Sequence, residues 1–356
     1  MKFKLKAYKW LRYAFWIAGA FVVGAVASFL FIQASTMSLA ILFVPKNANS
    51  ILSDSVQATS SKMGGNDAED AVSMDVSEAA LYSLKIPTTN LRVSAKAYLI
   101  GDLDNGKIIA ESNGTTTYPI ASVSKLMTIL VAKNAEDFQD TTTISKTVVS
   151  TYGTQGELKV GEKIKVGDLE YPLLLESSND AAEAFAEYYG LPKFINLMNQ
   201  KASSIGMINT HYEDPSGLTP KNISTTEDLF KLARYIFQTT PAIFDTTRVR
   251  QYAILHHTWT NANHFLALDN FIGGKNGFTD EAQQTTVSLF NVQLGNAQGG
   301  DGGKHNIAIV LLRSQNREND VYTILNYIRH NVQFEGATST ATSTASTTVD
   351  SSTSKK

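Results

Sequence analysis

The chain has no cysteine among its 356 residues. That excludes disulfides, thiolate zinc sites, cysteine-ligated iron–sulfur clusters and a cysteine nucleophile. It also lacks charge of one sign: 31 Lys and Arg against 33 Asp and Glu leave a net −2. With no basic field to hold a polyanion, nucleic acid is not an expected partner. No internal repeat is visible. What is there is a composition of 43% hydrophobic, 10% aromatic and 18% charged residues. Such a chain can bury a sizeable core and is not wholly disordered.

Organisation follows from where charge is missing. Lys2, Lys4, Lys6, Lys9 and Arg12 precede a stretch free of charge, and no acid appears before Asp54. Residues 13–32 are long enough to cross a ~30 Å hydrocarbon core. The basic flank places residues 1–12 in the cytoplasm and the rest outside. The expectation is a single-pass cell-membrane protein; secretion after signal-peptide cleavage is the alternative, disfavoured because the apolar run exceeds the usual ~7–15 residues. Residues 33–90 are rich in Ser, Asn, Asp and Ala and read as a stem. Residues 334–356 read as a disordered tail, with 13 Ser or Thr between 337 and 354. Between them, 91–333 form one domain.

Within that domain, apolar runs at 95–100 and 107–110 flank Asp104-Asn105-Gly106, the turn chemistry of a β-hairpin. From Ser122 the apolar residues Val123, Leu126, Met127, Leu130 and Val131 take helical spacing. Helical patterns continue at 168–175, 181–189, 194–204 and 226–237. Strand signals return at 271–278, 285–292 and 306–312, followed by a closing helix. Strands at both ends with a helical insert between them predict a mixed α/β fold: a largely antiparallel sheet from N- and C-terminal strands, flanked by helices.

Three short patterns carry chemistry. Ser122-Val123-Ser124-Lys125 sets a hydroxyl and an amine three residues apart at a helix start, neighbours on one face. A lysine that serves as base there must lose its proton near neutral pH, which burial and a second cation promote. Backbone N–H groups at the helix start can receive an oxyanion. Ser177-Ser178-Asn179 lies between two helical patterns, and Lys275-Asn276-Gly277 on a Gly-rich strand. Each pattern alone is weak. S-x-x-K recurs at Ser352–Lys355, S-x-N at Ser314–Asn316, and K-x-G at Lys62, Lys159 and Lys165.

In this order the three resemble the motifs of penicillin-binding proteins and serine β-lactamases. The longer strings Pro119-Ile120-Ala121-Ser122-Val123-Ser124-Lys125-Leu126-Met127-Thr128, Ser177-Ser178-Asn179-Asp180-Ala181-Ala182, Asp214-Pro215-Ser216-Gly217-Leu218 and Gly274-Lys275-Asn276-Gly277-Phe278-Thr279 are similar to the D-alanyl-D-alanine carboxypeptidase family, low-molecular-mass penicillin-binding proteins. The resemblance implies a serine D,D-carboxypeptidase of the β-lactamase/transpeptidase-like fold. It would act on peptidoglycan stem peptides and be acylated by β-lactams. By the same resemblance Ser122 is the nucleophile, Lys125 its base and Ser177 a proton relay. Asn179 holds the substrate's peptide group. Lys275 binds the terminal carboxylate and helps keep Lys125 neutral, and the oxyanion hole uses the N–H groups of Ser122 and Phe278, beside Gly277. The family uses no metal or cofactor; His256, His257 and His264 show no H-E-x-x-H spacing and read as ordinary polar packing.

Three departures stand out. Asn276 replaces the usual threonine of Lys-Thr-Gly. Many relatives carry a small β-rich second domain and an amphipathic C-terminal helix, for which too few residues follow Gly277; the N-terminal span would take that helix's place. Gln283 stands where relatives often have glycine. The rival readings are a β-lactamase, for which no E-x-x-L-N string follows Asn179, a non-catalytic peptidoglycan-binding module, and a D,D-endopeptidase acting on cross-links.

Overall fold

The computed structural model describes residues 81–335, apart from 135–137, 154 and 255. The expected anchor at 13–32, most of the stem and the tail from 336 lie outside the described residues. Among those described, no helix is long and apolar enough to cross a membrane.

Seven strands make the main sheet: β1 (Tyr82–Leu84), β2 (Ala97–Asp102), β3 (Ile108–Ser112), β4 (Phe271–Thr279), β5 (Gln283–Gly295), β6 (Asp301–Ser314) and β7 (Val332–Phe334). The order β4-β5-β6-β2-β3 is antiparallel throughout. β1 and β7 pair with each other, and β7 touches the far end of β5 at Gly295. The expected domain start at 91 therefore falls too late. Tyr82 pairs with Phe334 across the whole sequence of the domain, a contact no local pattern announces.

The sheet is buried on both faces. Leu99, Val287, Ala308, Val310 and Leu312 face one core, which holds the inserted helices α1 (Lys125–Lys133), α2 (Glu170–Leu175), α3 (Asn179–Tyr189), α4 (Leu191–Ser204) and α5 (Thr226–Thr239). Tyr98, Ile100, Phe290, Ile307, Ile309 and Leu311 face a second core, closed by α6 (Arg317–Asn331). A strand covered on both sides has no polar alternation, which is why 307–312 reads as a continuous apolar run. The helix caps obey local chemistry: the side chains of Ser178, Thr225 and Asn316 accept from N–H groups in the first turns of α3, α5 and α6. The second S-x-N string is thus a helix cap.

Of the inserted helices, α5 packs directly on β2, β5 and β6 at the first face of the sheet. A smaller hairpin, Gln251–Ile254 with His257–Thr260, was not anticipated. Its Trp259 is buried and donates through Nε1 to Gly156 O at 2.8 Å. His257 is also buried and meets Glu162 Oε1 at 2.6 Å, an ordinary polar pairing.

Candidate active site

The helix expected from Ser122 begins as a 3₁₀ turn, Ala121–Ser124, and becomes α-helical only at Lys125. In a 3₁₀ turn residues i and i+3 eclipse, so the tighter winding sets Lys125 directly over Ser122. Ala121 is held at φ +49°, a left-handed conformation uncommon outside glycine. The Asp214–Leu218 loop packs beneath it: a Cβ on Gly217 would stand 1.9 Å from Ala121 O, so only glycine fits there. Asp214 shapes that loop by accepting from the N–H groups of Ser216, Gly217 and Thr219.

Lys125 is completely buried. Its Nζ lies 2.8 Å from Ser122 Oγ, 2.8 Å from Asn179 Oδ1 and 2.7 Å from Ser216 O. Burial pushes its pKa down to about 7, against an upward pull from the charges of Asp214 and Glu183. Glu183 is itself pushed up to about 7, mainly by burial and then by Asp214. Desolvation leads for Lys125, and burial acts in the same direction on its neighbour Lys275. That residue is lowered well below its ordinary value by burial, then by the positive charges of Lys125 and Arg317.

Three contacts around one nitrogen also define a hydrogen-bond logic. An ammonium has three donors; a neutral amine has two and a lone pair. Asn179 Oδ1 and Ser216 O can only accept, so in the neutral form the lone pair is left for the Ser122 hydroxyl.

Ser177 occupies the turn between α2 and α3 at φ +63°. Its Oγ receives Lys275 Nζ at 2.8 Å, and the same nitrogen donates to Asn276 O at 2.8 Å. Asn179 opens α3; its Oδ1 takes Lys125, one N–H of Nδ2 donates to Tyr152 O at 2.7 Å, and the second N–H is left for the cleft that the residue lines. Gly277 is pressed against the nucleophile, where a Cβ would stand 2.9 Å from Ser122 N and 2.5 Å from Thr285 Oγ1. The strand residue after it, Phe278, is 61% exposed at the cleft. Asn276 is tied at both ends of its amide, with Oδ1 accepting from Thr286 Oγ1 at 2.7 Å and Nδ2 donating to Asn263 Oδ1 at 3.4 Å.

Ser122, Ser177, Asn179, Lys275, Asn276, Gly277 and Phe278 line one open cleft of about 950 Å³. Three further residues there were missed by motif reading. Arg317, at the start of α6, donates from Nη1 to Gly277 O at 3.0 Å and adds a second positive charge beside Lys275. Glu176 and Asn263 also line the cleft. Nothing local distinguishes them, since Arg317 comes from an element 40 residues beyond Gly277. Among the described residues, no cluster of three or more His, Cys, Asp or Glu could hold a metal ion.

A buried lysine on a serine, a second lysine on a second serine and a carboxamide between them form the constellation implied by the motifs. Residues 84–292 match the family described as D-alanyl-D-alanine carboxypeptidase. The chain belongs to this family of serine peptidases. One relative is the D-alanyl-D-alanine endopeptidase of Escherichia coli, 34% identical over 208 residues, covering 55% of this chain and 66% of that protein, just under two thirds. Another is the D-alanyl-D-alanine carboxypeptidase of a Streptomyces species, 30% identical over 257 residues, covering 62% of this chain and 85% of that protein. The solved D-alanyl-D-alanine carboxypeptidase of Mycobacterium tuberculosis superposes with a TM-score of 0.61 at 26% identity, covering 71% of this chain and 95% of its own. The family's mixed α/β fold is the one observed here. Gln283, where the family often has glycine, opens β5 at φ +53°, so the backbone there favours glycine and glutamine occupies it under strain.

Proposed function

We propose that this chain is a serine D,D-carboxypeptidase that removes the terminal D-alanine of peptidoglycan stem peptides through an acyl-enzyme on Ser122. The observation that carries the reading is the Lys125 environment: a fully buried amine on the serine hydroxyl, with its pKa brought down to about 7. Neutral Lys125 takes the Ser122 proton as Oγ attacks the carbonyl carbon of the scissile bond. The developing oxyanion is received by the N–H groups of Ser122 and Phe278. Lys275 and Arg317 hold the terminal carboxylate, and that anion supplies the countercharge that keeps buried Lys275 an ammonium. Ser177, bonded to Lys275, passes a proton to the departing amine. Water then cleaves the ester and returns Ser122. Asn179 Nδ2 gives one N–H to the substrate carbonyl while the other stays on the carbonyl of Tyr152.

The E. coli relative's endopeptidase name supports a second reading, cleavage of cross-links. One experiment separates the readings. The full-length protein is incubated with uncross-linked and cross-linked muropeptides and the products are weighed by mass spectrometry. Release of single D-alanine supports the carboxypeptidase; resolved dimers support the endopeptidase; no cleavage of either, with no labelling of Ser122 by a fluorescent penicillin, leaves a binding module. Placement at the outer face of the cell membrane rests on the charge pattern around 13–32. Isolation of the native protein with its N-terminus intact, and digestion of the domain by external protease, would support a retained anchor; a mature N-terminus beyond residue 30 would refute it.

A further inference from the structure

We propose that Glu176 is a positioning residue for Ser177, clipping the turn that carries the relay serine to two walls of the cleft. The proposal rests on the serine-peptidase reading above. Glu176 ends α2, one residue before Ser177. Its Oε2 accepts from Gly156 N at 3.0 Å and its Oε1 from Thr260 N at 3.0 Å. Gly156 belongs to the segment whose Tyr152 carbonyl meets Asn179, and Thr260 ends the strand that leads to Asn263, the partner of Asn276. A single carboxylate thus joins three stretches of chain, each of which touches a different residue of the site.

Neighbouring contacts make the joint specific. The C=O of Gly156 receives Trp259 Nε1, so both polar groups of that residue are used. Gly156 has φ +94°, and a Cβ there would stand 2.4 Å from Ser178 Oγ, so this wall lies directly on the Ser177–Asn179 turn. Ala262 N donates to Leu175 O at 3.0 Å and repeats the tie one residue before Glu176. Ser177 itself sits at φ +63°. A non-glycine residue held there costs about 1–3 kcal/mol and persists only where its surroundings over-determine it. Glu176 supplies that constraint on one side and the Ser178 cap of α3 on the other. The consequence is the 2.8 Å placement of Ser177 Oγ on Lys275 Nζ.

Two N–H donors call for two acceptor oxygens. A carboxylate has both; an amide has one, and turns its NH₂ against the second donor. Glu176→Gln keeps size and shape yet loses half the clip, and Glu176→Asp is too short to reach both donors. The test is a double-mutant cycle in the full-length protein, using wild type, Glu176→Gln, Ser177→Ala and the double variant. It reads the rate of Ser122 acylation by a fluorescent penicillin and the melting temperature of each protein. A residue acting through Ser177 gives non-additive rates. Glu176→Gln should slow acylation about 10–100-fold when Ser177 is present, the loss expected of misplacement by up to about 1 Å. In the Ser177→Ala background it should slow acylation less than about threefold. Its effect on melting temperature should be the same in both backgrounds. Should Glu176→Gln reduce the folded fraction, rates are taken per folded molecule and Glu176→Asp repeats the cycle. Equal losses in the two backgrounds, or none with Ser177 present, overturn the proposal while leaving the peptidase reading intact. A wild type that is not acylated at Ser122 overturns that reading, and the clip's catalytic role with it.

Discussion

Acylation of Ser122 should switch on with rising pH, with a midpoint near the pKa of Lys125. The perturbation is pH itself, because the base proposed for Ser122 is a single buried amine. Its pKa is brought from 10.5 to about 7 by desolvation. Of its three contacts, two are acceptor-only, so the neutral amine alone can take the serine proton. The neutral fraction is about 1% at pH 5, 10% at pH 6 and 90% at pH 8, so acylation should rise about tenfold per unit at the acid end and level off above about pH 8. The sign is that of a lysine with a lowered folded pKa: activity is present above about 7 and lost as pH falls through it. Stability has the same direction. Between about 7 and 10.5 the unfolded chain binds this proton and the folded one does not, so Lys125 contributes rising stability across that window, at most about 5 kcal/mol. The assay is the second-order rate of labelling by a fluorescent penicillin, whose carboxylate stays ionised from pH 5 to 9. A rate that is flat between pH 5 and 8, or a midpoint above about 9, would refute the role given to Lys125.

Glu183→Gln removes a charge that pulls Lys125 upward, so its acylation midpoint should move toward acid; a move toward alkali counts against the electrostatic account. Arg317→Leu should lower kcat/KM for peptides ending in a free carboxylate by about 10–150-fold, the worth of one charged hydrogen bond at ~1.5–3 kcal/mol, and affect C-terminally amidated peptides much less. Equal losses on both peptides would remove Arg317 from carboxylate binding. Asn276→Thr frees Asn263 and presents a compact hydroxyl to the carboxylate, so acylation by such peptides should rise, within the same ~10–150-fold ceiling. A fall would mean that the Thr286–Asn276–Asn263 chain is itself the adapted arrangement. Gln283→Gly relieves a left-handed glutamine and should raise unfolding free energy by about 0.5–1 kcal/mol in denaturant titrations, with unchanged activity.

What the sequence determined by itself is what nearest neighbours decide. Apolar spacing placed the inserted helices, because the 3.6 period is set by local backbone geometry, and apolar runs bounded by turn residues marked the three long strands. Asp104-Asn105-Gly106 marked its hairpin, and the S-x-x-K spacing brought Ser122 and Lys125 onto one face before any tertiary contact was known. The motif order was enough to single out the family, since no single pattern was specific and their succession was. Only the tertiary structure decided the rest. Tyr82 joins the sheet through Phe334, more than 250 positions away, and so escaped a reading that took it for stem. The pKa of Lys125 falls toward neutrality because Ser216 and the loop beneath Ser122 seal it from water, and desolvation belongs to the packed domain, not to four residues of sequence. Arg317, Asn263 and Glu176 carry no local signal because they come to the cleft from separate elements. The strain at Ser177 and Gln283 is equally silent in composition, for a positive φ is imposed by the closure of the chain around it. Local chemistry supplied the reacting groups; packing supplied their charge states and their distances.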